Sequence, residues 1–105
     1  MPKPARSSFD HEPRAPEVRR LRRRMDRLNA RLVMLLQERA RLALAIGRAK
    51  RLHGLAAADP ARERAMLRAA SAGAAAGFSK RELQRLLRAI FAASRALVVR
   101  DRRGR

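Results

Sequence analysis

The feature that most constrains the fold is an apolar seam that recurs at alternating steps of three and four residues. Its members are Val18, Leu21, Met25, Leu28, Leu32, Leu35, Leu42 and Ile46. Residues at these steps share one stripe of a helix, the stripe that packs against other helices. The run from residue 17 to residue 46 contains no glycine or proline. We therefore predict one long helix that starts at Glu17 and continues past Gly47 to about His53.

Arg39 interrupts this seam at a position where the period requires an apolar residue. A guanidinium keeps its proton, and burying it without an anion is costly, so a negative group is expected beside it. Lys50 follows after three helical turns plus about 20°, and the two cations could close on a small anion. A second interpretation stays open, in which Arg39 reaches solvent at the rim or pairs with Glu38 or Glu63.

Start and stop signals predict two further helices and no strands. Gly54 stands where the first helix should end. Asp59 can cap a second helix over about residues 60–72, because proline follows it at the first helical position. A capping box formed by Ser79 and Glu82 opens a third helix. The expected fold class is therefore all-α, with three helices per chain.

The two ends of the chain differ in composition from the helical part. Residues 1–16 contain four of the five prolines and are predicted to be a disordered basic arm. Residues 100–105 are expected to form a frayed basic tail. The helical domain is accordingly assigned to residues 17–99.

The length of the first helix predicts a dimer. A helix of about 36 residues is about 54 Å long, whereas a compact domain of about 100 residues has a radius of gyration of about 13 Å. The short second and third helices cannot cover a seam of that length. We therefore expect a second copy of the chain to cover it, in an intertwined helical homodimer.

Composition limits the other classes of function. The chain has 27 basic and 9 acidic residues, a net charge of +18, which raises the question of nucleic acid binding. The basic residues are spread around helix faces and there is no tyrosine or tryptophan for base stacking, so we do not favour nucleic acid as a partner. Cysteine is absent, the two histidines lie far apart, and no metal site is expected. No apolar stretch reaches membrane-spanning length, and a cytoplasmic protein is expected.

Five stretches of the sequence, taken in order and with their spacing, resemble the all-helical class of chorismate mutases. They are LRRRMD at 21–26, LLQER at 35–39, IGRAK at 46–50, DPARE at 59–63 and IFAASR at 90–95. The resemblance covers about residues 17–98 and includes several polar positions as well as the leucine period. It implies a homodimer without cofactor or metal that rearranges chorismate to prephenate.

The resemblance also implies a role for individual residues. Arg39 would bind a substrate carboxylate, Lys50 a carboxylate and the ether oxygen, and Arg22 would reach into the partner subunit's site. The other implied contacts are Asp59, Arg62 and Glu63 around the ring hydroxyl, Ser94 beside a carboxylate, and Ile46 in the pocket wall. Helix geometry agrees with a shared site, because Arg22 and Arg39 are separated by about 25 Å along one helix and by roughly 100° around it.

Several of these residues also have a purely structural interpretation. Asp59 is explained as a helix cap, and Glu63 as a first-turn acid that complements the helix dipole. Ser94 can bond to its own helix backbone. Arg22 stands among other arginines on what could be a solvated face.

Val98 departs from the family pattern. The family usually has a glutamine or glutamate at this position, one turn after the serine, which hydrogen bonds the ether oxygen; valine donates nothing. Weak chorismate mutase activity is one expectation. The alternatives are an isochorismate-pyruvate lyase, a mutase of an amino-substituted chorismate, a degenerate paralogue without activity, or a basic helical protein that binds nucleic acid.

Overall fold

The computed structural model describes residues 14–72 and 77–104, and within them it contains three helices and no strand. They are α1 (Pro16–Leu52), α2 (Pro60–Ser71) and α3 (Lys80–Arg103). The all-α prediction is confirmed. Most of the arm predicted at 1–16 lies outside the described residues, but Pro16 is already the first residue of α1.

The predicted stop signal ends α1. Gly54 has a φ of 69°, a left-handed conformation that glycine adopts without a steric penalty. The backbone N–H of Gly54 donates to Arg51 O, and that of Leu55 donates to Lys50 O at 2.7 Å. These two bonds form a Schellman motif, which satisfies carbonyls at the helix end.

Both predicted N-terminal caps are also present. The Asp59 carboxylate accepts a hydrogen bond from the backbone N–H of Arg62 at 3.1 Å. At α3, the Ser79 hydroxyl accepts from the Glu82 N–H, and the Glu82 carboxylate accepts from the Ser79 N–H. The hydrogen bond with the Ser79 backbone lowers the pKa of Glu82 the most, and the hydrogen bond with the Ser79 side chain lowers it further. These caps fix where α2 and α3 begin.

The frayed tail expected from residue 100 is wrong for the residues that the structure describes there. Helix α3 continues to Arg103 because its last turn is bonded to the end of α1. Arg48 donates two hydrogen bonds to the Asp101 carboxylate, at 3.1 and 2.8 Å, which raise the pKa of Arg48. Arg51 donates to the carbonyl of Arg102, and Arg102 donates to the carbonyl of Gly47.

The structure divides into two units between Gln37 and Glu38. In the second unit, Phe91 and Val98 of α3 are buried, being 4% and 9% exposed, as is Gly47 of α1. A Cβ on Gly47 would lie 2.8 Å from a Val98 methyl carbon, so the absence of a side chain permits this close contact. In the first unit, the seam residues of α1 are between 38% and 59% exposed.

None of the described helices combines the length and the apolarity that a membrane-spanning segment requires.

Candidate active site

A cavity of about 510 Å³ lies within the second unit. Its walls are the C-terminal part of α1, the connection that follows it, α2 and α3. Eight of the nine residues that the sequence predicts for the site line this cavity: Arg39, Ile46, Lys50, Asp59, Arg62, Glu63, Ser94 and Val98. The ninth residue, Arg22, belongs to the first unit and is exposed.

Arg39 belongs to the second unit, is half-buried and lines the cavity. Its guanidinium donates a hydrogen bond of 2.7 Å to the Ser94 hydroxyl and lies 5.1 Å from the centre of the Phe91 ring. A cation above an aromatic face is attracted by the ring quadrupole, and Arg39 is held from two sides. Within the described part of the chain, no carboxylate lies at ion-pairing distance from Arg39. The alternative interpretation, in which Arg39 pairs with Glu38 or Glu63, is therefore not what the structure shows.

Ser94 combines the two interpretations given to it. Its hydroxyl donates to the carbonyl of Ile90 at 3.0 Å, the bond back to its own helix that a structural role requires. The same oxygen accepts the hydrogen bond from Arg39. Ser94 thereby connects the backbone of α3 to the guanidinium that faces the cavity.

The cavity carries more positive than negative charge. Its lining includes four cationic side chains and two carboxylates, an excess of two positive charges. The cations are Arg39, Lys50, Arg62 and Arg95, and the carboxylates are those of Asp59 and Glu63. Such a lining favours a small guest with two negative charges, because several fixed cations in a partly desolvated cavity attract it. Among the described residues, no cluster of histidine, cysteine or acidic side chains is arranged to hold a metal ion.

The two carboxylates of the cavity are both engaged. Asp59 caps α2 through one of its oxygens. One oxygen of Glu63 accepts a hydrogen bond of 2.5 Å from Arg95, which is 48% exposed in its side chain against 26% for Glu63. Glu63 is thus tied to α3.

Apolar side chains complete the walls. Leu42 and Ile46 of α1, which are 58% and 55% exposed, line the cavity together with Met66 of α2 and Val98 of α3. Val98 has no donor or acceptor and also fills the space beside Gly47. The position at which the family pattern has an amide is therefore apolar here and closely packed.

Two residues of the site, Phe91 and Arg95, were not singled out by the sequence reasoning. Phe91 lies one turn before Ser94 on α3, a spacing that places both on the side facing Arg39. Arg95 was one arginine among many, and its pairing with Glu63 depends on how α2 and α3 meet. The helical spacing could therefore have predicted Phe91 as a residue of the site, but no signal in the sequence could have predicted Arg95.

Comparison with known proteins gives a consistent assignment. The family model for chorismate mutase type II matches residues 21–99. The chain therefore belongs to the chorismate mutase type II family.

Two solved structures of chorismate mutase from Thermus thermophilus are similar to this chain. The form I structure is 37% identical, with a TM-score of 0.72, over 74% of this chain and 98% of that one. The form II structure is also 37% identical, with a TM-score of 0.77, over 80% of this chain and 96% of that one. Among curated proteins no significant match is found.

Proposed function

We propose that this chain catalyses the rearrangement of chorismate to prephenate at the cavity of the second unit. The chain is a chorismate mutase by family, and the observation that supports this site is the pair of cations, Arg39 and Lys50, in a lining with two excess positive charges. Chorismate is a dianion, so its charge matches that excess. In the reaction the ether C–O bond breaks while a C–C bond forms in one step, and no proton or leaving group is transferred.

Arg39 has the central role in the proposal. A flexible dianion must be held in its compact conformer for the two reacting carbons to meet, and positioning of this kind can supply much of a rate enhancement. Arg39 is already oriented by Ser94 and Phe91 before a substrate arrives. A preorganised guanidinium needs little reorientation, so its charge is available to hold a carboxylate.

Lys50 is assigned to the ether oxygen. Negative charge develops on that oxygen as the C–O bond breaks, and a fixed cation beside it lowers the barrier. Val98 cannot contribute a hydrogen bond there. We therefore expect slower turnover than in a relative that has an amide at this position, by about 10²–10³-fold if nothing compensates.

A homodimer is part of the proposal. Along α1 of the first unit, Leu21, Met25 and Leu28 are 50%, 55% and 56% exposed. A row of large apolar side chains at helical spacing is favourable only when another apolar surface covers it. A second copy supplies the same row, and it would bring its own Arg22 to the cavity of this chain.

The direct test is an assay of chorismate consumption with product identification. Purified protein should convert chorismate to prephenate, because the cavity charge and the family agree on this substrate. If isochorismate or an amino-substituted chorismate is consumed and chorismate is not, the site is correct and the substrate is wrong. If none of them is consumed, the proposed function is wrong. The expected cytoplasmic location stays a prediction.

The shared site has its own test, a complementation experiment. Arg22→Ala and Arg39→Ala should each be inactive as homodimers. Random subunit exchange between the two variants makes about half of the dimers heterodimers. In each heterodimer one site has both arginines and the other site has neither. The mixture should therefore recover about a quarter of the parent activity. No recovery after verified subunit exchange would place Arg22 outside the partner's site.

A further inference from the structure

The ion pair between Arg95 and Glu63 lies in the wall of the cavity. The Arg95 guanidinium donates to one carboxylate oxygen of Glu63 at 2.5 Å, and both side chains line the space assigned to the substrate. The pair is partly exposed, with side-chain exposures of 48% and 26%. Ion pairs this accessible to solvent contribute little to stability because water and salt screen them. Its position suggests a role in the site instead.

A carboxylate is an unfavourable neighbour for a dianion. Left unpaired, Glu63 would repel both substrate carboxylates, and it would compete with them for the cations of the lining. Arg95 offsets that charge and holds one oxygen of Glu63 against α3. The arrangement leaves the second oxygen as the acceptor for a ligand hydroxyl.

Glu63 is one of two carboxylates in the lining that can accept from that hydroxyl. Asp59, the second carboxylate of the lining, uses one of its two oxygens to cap α2, and Glu63 likewise uses one oxygen for Arg95. Ser94 already accepts from Arg39 and donates to Ile90. A substrate with two carboxylates and one hydroxyl is therefore held best when Glu63 accepts from the hydroxyl while Arg95 offsets the charge of Glu63.

We propose that Arg95 is a positioning residue that acts through Glu63, holding its carboxylate off the cationic groups and oriented toward the substrate hydroxyl. This inference rests on the proposed function. Arg95 follows Ser94 in the sequence, but the two side chains contact different helices. Ser94 contacts Arg39 of α1, whereas Arg95 contacts Glu63 of α2.

The test is a double-mutant cycle on kcat/KM with chorismate. Arg95→Met should lower kcat/KM by about tenfold, mainly through KM, because an unpaired carboxylate then repels the dianion. In the Glu63→Ala background the same substitution should change kcat/KM by less than about twofold, since the group through which Arg95 acts is gone. Arg95→Lys should restore most of the loss, because it keeps the charge. Arg88→Met is the matched control on the exposed face of α3 and should leave kcat/KM unchanged.

Three results would overturn the inference. An equal loss in both backgrounds would mean that Arg95 attracts the substrate directly. An unchanged kcat/KM with a lower Tm would mean that the pair is only structural. A loss that Arg88→Met reproduces would mean a general effect of surface charge. Absence of turnover in the parent protein would instead refute the proposed function and this inference with it.

Discussion

Gly47 offers a quantitative test of how α1 and α3 pack. In Gly47→Ala, the new Cβ would lie 2.8 Å from one Val98 methyl carbon and 3.3 Å from the other. Val98 is buried and β-branched, so its χ1 cannot turn aside at low cost. Overpacking of this kind costs about 1–3 kcal/mol, and the short contact argues for the upper half of that range. Removing a glycine from a helix interior returns about 1 kcal/mol, which leaves a net destabilisation of about 1–2 kcal/mol.

The assay is urea unfolding at one fixed protein concentration, followed by circular dichroism. Gly47→Ala should lower the free energy of unfolding in the parent background. In the Val98→Ala background the methyl carbons that cause the clash are absent, and the same substitution should stabilise the chain by up to about 1 kcal/mol. Ala45→Gly, at an exposed position of the same helix, measures the helix-propensity term alone.

The sign of the effect is the decisive result. If Gly47→Ala stabilises the parent protein, or if its effect is the same in both backgrounds, the close contact between α1 and α3 at Val98 is not present in solution. The apolar wall of the cavity would then differ from the one described above, because Val98 would be able to move.

Three other properties of the protein can be checked separately. Val98→Gln should raise chorismate turnover by about tenfold or more, since it restores a donor near the ether oxygen; unchanged kcat in a folded variant would show that this oxygen lies elsewhere. Glu82→Gln should lower Tm near neutral pH, and the difference should shrink as pH falls through the depressed pKa of Glu82, because the stabilisation needs the ionised carboxylate; a difference independent of pH would contradict the capping role. Light scattering at micromolar concentration should give the mass of a dimer, and a monomer mass would refute the role assigned to the α1 seam.

The local parts of the fold could be predicted from the sequence because their causes are local. Asp59, Ser79 with Glu82, and Gly54 each bond to backbone within a few residues, so the chain alone specifies where a helix starts or ends. The interruption at Arg39 was informative for a related reason. An arginine on the apolar face of a helix needs a partner wherever the other helices lie, and the half-buried Arg39 finds partners in Ser94 and Phe91.

The contacts between helices could not be predicted in the same way. The pairing of Arg95 with Glu63 and that of Arg48 with Asp101 depend on how the helices cross, and a chain rich in arginine offers many equivalent donors. The last turn of α3 is held by the second of these pairs together with the bonds of Arg51 and Arg102 to backbone carbonyls. Gly47 carried a signal, since a glycine inside a helix usually has a packing reason, but its partner Val98 emerges only from the structure.

The central claim is that Arg39 is held in the cavity to bind a carboxylate of a dianion, and Arg39→Ala tests it most directly. Chorismate binding and kcat/KM should be measured together with the unfolding midpoint. We predict a loss in kcat/KM of at least about 10²-fold, with chorismate binding no longer detectable and the fold retained. A folded variant that keeps kcat/KM within about tenfold of the parent value would contradict that claim.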